Sequence, residues 1–214
     1  LLIIVVVTMD FISQLQAPTT EALNVLAEAG QPVITFNLED AYDMGAQFWL
    51  WEMATAVASH ILDIQPFDQP NVESAKVQAR KMVQSYTDTG KLPEMETAVL
   101  SADTLHDFLA QANPGDYIAL MAYVNPTSEV DAVLQDLRAQ LLIRYKLATT
   151  LGYGPRFLHS TGQLHKGDDG SGLFIQFTAD PTQDIDIPDE AGKDASAMSF
   201  GVLIKAQALG DAQA

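Results

Sequence analysis

Cysteine is absent from the 214 residues. That excludes a disulfide framework, a thiolate mechanism and a Cys-ligated zinc site, and it fits the cytosol as the expected compartment. Positive charge is scarce: 11 Lys and Arg stand against 28 Asp and Glu, a net charge of −17. Nucleic acid and anionic membrane surfaces would be repelled, so neither is expected as a partner. Any anionic ligand must find a local cationic pocket. No stretch reaches the roughly 20 uncharged apolar residues of a membrane span. The least polar helix candidate, Asp43–Leu62, carries Glu52 in its middle, with Gln47 and His60 nearby. The chain does not begin with Met, and no basic residue precedes its first apolar run, so no signal peptide is expected. The expectation is instead a fragment whose upstream part is missing. At 48% apolar and 18% charged residues the composition is globular, and the length suits one large or two small domains.

What is present has an α/β rhythm. Residues 1–8 are rich in Val and Ile, the pattern of a strand covered on both faces. Residues 19–29 form an amphipathic helix stopped by Gly30, and Val33–Leu38 follows as a strand. The apolar helix 43–62 is expected to be buried. Glu52 would then need a partner, as a core ion pair or cap, or else serve a site. Asp68 or Gln69 caps a further helix with Pro70 in its first turn. Lys76 falls on that helix near Glu73 and Arg80, a spacing that equally suits a solvated lysine. Residues 87–96 read as a linker. A strand is expected over 97–101, a helix over 103–112 and a strand over 116–124. Ser128 caps a helix with Val130, Val133, Leu134, Leu137 and Leu141 on one face, and a strand over 147–151 follows. Beyond lie a strand over 172–179, an irregular acidic loop over 181–197 and a closing helix over 199–212. Alternating strands and helices predict a three-layer α/β sandwich with a mainly parallel sheet.

The richest stretch is Gly152-Tyr153-Gly154-Pro155-Arg156-Phe157-Leu158-His159-Ser160-Thr161-Gly162-Gln163-Leu164-His165-Lys166-Gly167. It follows a strand, where α/β sheets open their ligand crevice. Its glycines let backbone N–H groups approach an anion, and Arg156, Ser160, Thr161 and Lys166 add donors. If helical, it puts Arg156, His159 and Gln163 on one face and His165 elsewhere. The two histidines are six apart without an obvious third ligand, so no metal is expected. Ser160 lacks a nucleophile-elbow setting, and the glycines form neither a dinucleotide fingerprint nor a P-loop. A polar turn tying two strands together is the alternative reading.

Phe67-Asp68-Gln69-Pro70-Asn71-Val72-Glu73-Ser74-Ala75-Lys76 resembles the C-terminal signature of glucose-6-phosphate isomerases, and Gly45-Ala46 with Trp51-Glu52 resembles their preceding helix. The 152–167 stretch, with Phe200-Gly201-Val202-Leu203 and Ala206-Gln207-Ala208-Leu209-Gly210-Asp211, is similar to the C-terminal part of bifunctional transaldolase/glucose-6-phosphate isomerases. The sequence departs from that pattern at residues 167–170 and 192–198.

The resemblance implies a sugar-isomerase (SIS-type) sandwich, with residues 1–92 as the isomerase subdomain and 93–214 as an extension of the fusion-type proteins. It implies aldose–ketose interconversion of glucose 6-phosphate and fructose 6-phosphate through ring opening and an enediol, with no cofactor. Lys76 is the implied ring-opening residue, and Gln69 lies near the substrate. Glu52, Arg156, His159, Ser160, Thr161, His165 and Lys166 are further substrate-binding candidates, with no individual role carried over. The family's glutamate base and its Ser/Thr phosphate loop lie upstream of any match here. The isolated chain is therefore expected to be inactive and to act with upstream isomerase or transaldolase segments, with a homo-oligomer as a further possibility. The alternative is a non-catalytic sugar-phosphate-binding or regulatory module.

Overall fold

A computed structural model of the chain describes residues 4–9, 13–99 and 101–214, with side chains from Thr20 onward. The chain divides into two compact units, residues 1–68 and 69–214. The coil over 91–99, where the sequence places a boundary, lies inside the second unit.

The first unit contains β1 (Ile4–Met9), α1 (Ser13–Glu28), β2 (Val33–Leu38) and α2 (Asp43–Leu62). β1 and β2 pair in parallel, Ile4 opposite Val33 and Met9 opposite Leu38. Residues 1–3 of the expected first strand lie outside the described residues. Gly30, at φ +80°, turns the chain after α1, a backbone region that glycine enters at little cost. α2 has the expected bounds but not the expected environment. Phe48, Trp49, Val57 and Ile61 are exposed, and only Ser59 is buried. A helix apolar on every side has more surface than a two-stranded sheet can cover. Trp51 meets Phe36 of β2 edge to face at 6.0 Å. Glu52 is exposed, which corrects the expectation of a buried carboxylate. Water solvates it, and no partner is required.

The second unit holds α3 (Pro70–Thr89), α4 (Ala102–Leu109), β3 (Tyr117–Tyr123), α5 (Ser128–Tyr145), β4 (Ala148–Tyr153), α6 (Leu158–Gly167), β5 (Gly172–Thr178), the short β6 (Asp186–Ile187) and β7 (Met198–Ser199), and α7 (Phe200–Gln213). Its main sheet is parallel in the order β4-β3-β5. β3 is the centre, and residues 118–123 are all buried, as a strand covered on both faces must be. Ile118 and Leu120 point one way, into a cluster with Leu109 of α4 and Leu141 of α5. Met121 and Tyr123 point the other way, against Phe157 and Ala208 of α7. Behind α7 lies α3, joined through Met82, Ala206 and Leu209. The fold is α/β with a parallel three-stranded sheet and helical cover, in keeping with the sugar-isomerase type.

Several local expectations change. Residues 97–99 form no strand, and Leu100 lies outside the described residues. The Ser101 hydroxyl instead accepts from Thr104 N at 3.1 Å and caps α4. α5 is capped by Thr127, whose Oγ1 accepts from Val130 N at 3.2 Å, and Ser128 is already helical. Leu134 and Leu141 are buried seven residues apart, whereas Val133 is 67% exposed beside that stripe. The acidic loop carries one small antiparallel pairing, β6 with β7.

Candidate functional site

β3 leaves the sheet through α5 toward the Leu141 side, and β4 leaves through α6 toward the Phe157 side. The connections from two adjacent strands thus part to opposite faces, the arrangement that opens a crevice at strand carboxyl ends. The glycine-rich stretch sits there. Its first residues finish β4, with Gly152 beside Met121 and Tyr153 beside Ala122. Gly154 N donates to the Ala122 carbonyl at 2.9 Å, and the Gly154–Pro155 peptide is cis. A Cβ on Gly154 would enter the Tyr123 ring, so the close approach requires glycine.

At the β4 end is a shallow cavity of about 320 Å³, widely open to solvent. Asp131 and Gln135 of α5 line one side, and Tyr153 and Arg156 the other, over Gly152 and Phe157. The Tyr153 hydroxyl donates to Asp131 Oδ1 at 3.3 Å. Burial and the neighbouring Asp131 raise the Tyr153 pKa, with Arg156 opposing. Arg156 is exposed and in no ion pair among the described residues.

The rest of the stretch is α6. Ser160 Oγ and Thr161 Oγ1 both donate to the Phe157 carbonyl, at 3.1 and 3.0 Å. His159 is exposed. Lys166 does not face the cavity. Its ammonium lies 2.6 Å from Asp211 Oδ1 in a nearly buried ion pair and donates to the Asp211 carbonyl oxygen at 3.1 Å. The buried Tyr123 hydroxyl donates to Asp211 Oδ2 at 3.0 Å. Burial, then the Asp211 charge, pushes the Tyr123 pKa up. His165 packs against Phe174, Phe157 and Tyr117 at ring separations of 5.3, 5.7 and 6.0 Å. Its ring nitrogens are buried with no hydrogen-bond partner among the described residues. Burial holds its pKa below the ordinary value, against the pull of Asp211 and Asp168.

The resemblance-bearing helix α3 docks at the other end of α6. Asn71 N donates to Gln163 Oε1 at 3.0 Å, and Gln163 Nε2 returns a bond to Asn71 Oδ1 at 2.7 Å. Asn71 Nδ2 also reaches the Lys166 carbonyl at 3.2 Å. Gln69 is the exposed N-cap residue of α3, without a side-chain cap bond. Lys76 is exposed and paired with Glu73 at 3.3 Å; Glu73 also holds Arg80 at 2.5 Å. Arg80 first and Lys76 second keep the Glu73 pKa below the usual value. The two stretches singled out in the sequence are therefore neighbours. Arg156 and the start of α3 nonetheless lie at opposite ends of a ten-residue helix about 15 Å long. Glu52 and His60 belong to the other unit.

Asp211 stands in the sequence only as the last residue of a stretch similar to the fusion-type proteins, with no partner assigned. Asp131 and Gln135 escaped sequence reading and were legible only as an i, i+4 pair one turn into α5.

Part of this chain is similar to glucose-6-phosphate isomerases. It is 35% identical over 69 residues to the glucose-6-phosphate isomerase of Heliobacterium modesticaldum, 32% of this chain and 15% of that protein. The Latilactobacillus sakei enzyme is 34% identical over 71 residues, with the same shares. The Acholeplasma laidlawii enzyme is 43% identical over 44 residues, 21% of this chain and 10% of the relative. The matched parts thus span no more than about a seventh of these relatives. No known family profile and no solved structure matches the chain.

Proposed function

We infer that the chain is part of a glucose-6-phosphate isomerase. The observation that carries this reading is the partial similarity to several enzymes of that name. The 67–76 signature, which places Lys76 and Gln69 at the exposed start of α3, supports it.

In this reading Lys76 assists opening of the cyclic hexose phosphate, by giving a proton to the ring oxygen or holding charge beside it. An exposed ammonium on a helix keeps its side-chain freedom, and its contact with Glu73 is an exposed ion pair worth little. Substrate phosphate or ring oxygen can therefore take Lys76 from Glu73 at small cost. Gln69, one residue before Pro70, offers an amide to the sugar hydroxyls. The base that moves the proton between C1 and C2 is supplied from outside these residues. The chain alone is then inactive, and the 152–167 stretch belongs to an extension shared with transaldolase fusions. The expected compartment is the cytoplasm. Among the described residues no helix is long and apolar enough to cross a membrane.

The test is a coupled assay of glucose 6-phosphate formation on the protein that includes the upstream coding sequence. Lys76→Ala is expected to lower turnover on cyclic fructose 6-phosphate by about 10²-fold or more, in the range of general acid–base contributions. It should be milder on an open-chain analogue. Wild-type turnover by Lys76→Ala would remove the lysine from the mechanism. Full turnover by the 214-residue chain alone would overturn the assignment of the base.

A further inference from the structure

The cavity at the carboxyl end of β4 has a composition that the isomerase reading does not use. Arg156 stands there without an anionic partner among the described residues, in a chain of net charge −17. Across the opening, Asp131 accepts from the Tyr153 hydroxyl through Oδ1, and Oδ2 has no bond of its own among the described residues. Gln135 lies one turn along α5; its Oε1 accepts from Arg138 Nε at 2.9 Å, which leaves its amide N–H groups as donors. Phe157 closes the floor, buried and apolar, and fills the space that a side chain on Gly152 would take.

These groups specify a ligand. A guanidinium binds a planar or tetrahedral anion through two parallel N–H bonds. A carboxylate facing the same space accepts hydrogen bonds and repels a second negative charge. That disfavours nucleic acid and polyphosphates and favours hydroxyl groups at the far end of the ligand. At about 320 Å³ the space is a shallow depression open to solvent, wide enough for one face of a molecule of monosaccharide size. Its position agrees with the rule that parallel sheets bind ligands where adjacent connections part.

We propose that this cavity is a binding site for a small hydroxylated anion, with Arg156 on the phosphate or carboxylate and Asp131 and Gln135 on its hydroxyls. The site is separate from Asn71, which bonds to Gln163 and Lys166 in the second half of α6. The inference stands whether or not the chain takes part in sugar isomerisation.

Amide shifts of the 214-residue chain provide the test, with glycerol 3-phosphate and gluconate as hydroxylated probes. Inorganic phosphate and acetate supply the anion alone, and glycine supplies a dipolar ligand. At least one hydroxylated probe is expected to shift the Gly152 and Phe157 amides and to bind more tightly than its bare anion. Arg156→Gln should weaken it by about tenfold or more, the scale of a lost charged hydrogen bond. Asp131→Asn should narrow the advantage over the bare anion. All three side chains at the mouth, Arg156, Asp131 and Gln135, are exposed, so these variants keep the fold. Lys76→Ala should leave the affinity unchanged. The proposal is overturned if no probe binds, if the bare anions or glycine bind as tightly, if Arg156→Gln has no effect, or if Lys76→Ala abolishes binding.

Discussion

Replacing Lys166 by methionine tests how the second unit is held together. The ammonium and the carboxylate of Asp211 have side-chain exposures of 8% and 1%, and they meet at 2.6 Å. Removing the cation leaves a carboxylate inside the protein with only the Tyr123 hydroxyl to stabilise it. Breaking a buried pair from one side costs about 3–5 kcal/mol, well above the roughly 0–1 kcal/mol of an exposed pair. The loss of the bond to the Asp211 carbonyl lies within that range, since the main-chain oxygen is at the end of α7. For a unit of this size each kcal/mol moves the melting temperature by about 2–4 °C, so Lys166→Met should lower it by roughly 6–20 °C. Urea unfolding followed by far-ultraviolet circular dichroism measures the free energy directly. Lys166→Met with Asp211→Asn should recover part of the loss, because a neutral amide replaces the stranded charge and still accepts from Tyr123. A loss below about 1 kcal/mol in the single variant, or a double variant no better than the single, would show that water reaches Asp211 and that the pair acts as an exposed one.

Two further outcomes follow from the same region. His165 has a depressed folded-state pKa, chiefly through burial, so the unfolded chain binds its proton more readily. Stability from this group is complete above the unfolded value near 6.5 and falls as pH drops through it toward the folded value. His165→Phe should flatten the pH dependence of urea midpoints below about pH 6.5, and an unchanged slope would count against the buried neutral ring. Gly210→Ala places a Cβ against the backbone of Ala79 and should cost about 1–3 kcal/mol in the same unfolding measurement. An unaffected midpoint would mean that α3 and α7 can part without loss.

Many of the strands and helices were legible from apolar runs bounded by turn residues, although residues 97–99 form no strand. Val33–Leu38 and Asp43–Leu62 match their expected bounds, and the continuous apolar run 117–123 announces a central strand. Environment was less legible. The sequence of α2 shows only that it is apolar all round; how many neighbours exist to cover it is a property of the unit, and two strands are few. Within 152–167 the polar residues read alike, as donors near a turn. Their fates depend on partners 45 and 92 residues away: Lys166 on Asp211, Gln163 on Asn71. One basic residue of the stretch is tied off inside the protein, while Arg156 keeps its guanidinium free at the cavity, and no local pattern tells them apart. Asp211 shows the converse. An acid at the end of an apolar helix looks like a surface residue until its lysine and tyrosine are found around it.

The docking of α3 against α7 has a consequence for how such a chain can be rearranged in evolution. The helix that carries Lys76 comes before the linker, yet its apolar side, with Met82, is completed by Ala206 and Leu209 near the opposite end of the sequence. A recombination point in residues 91–99 would separate α3 from the surface that covers it, exposing apolar side chains on both products. A point just before Gln69 would carry the lysine, the sheet and the β4 cavity together. Packing thus ties α3 to the far end of the sequence.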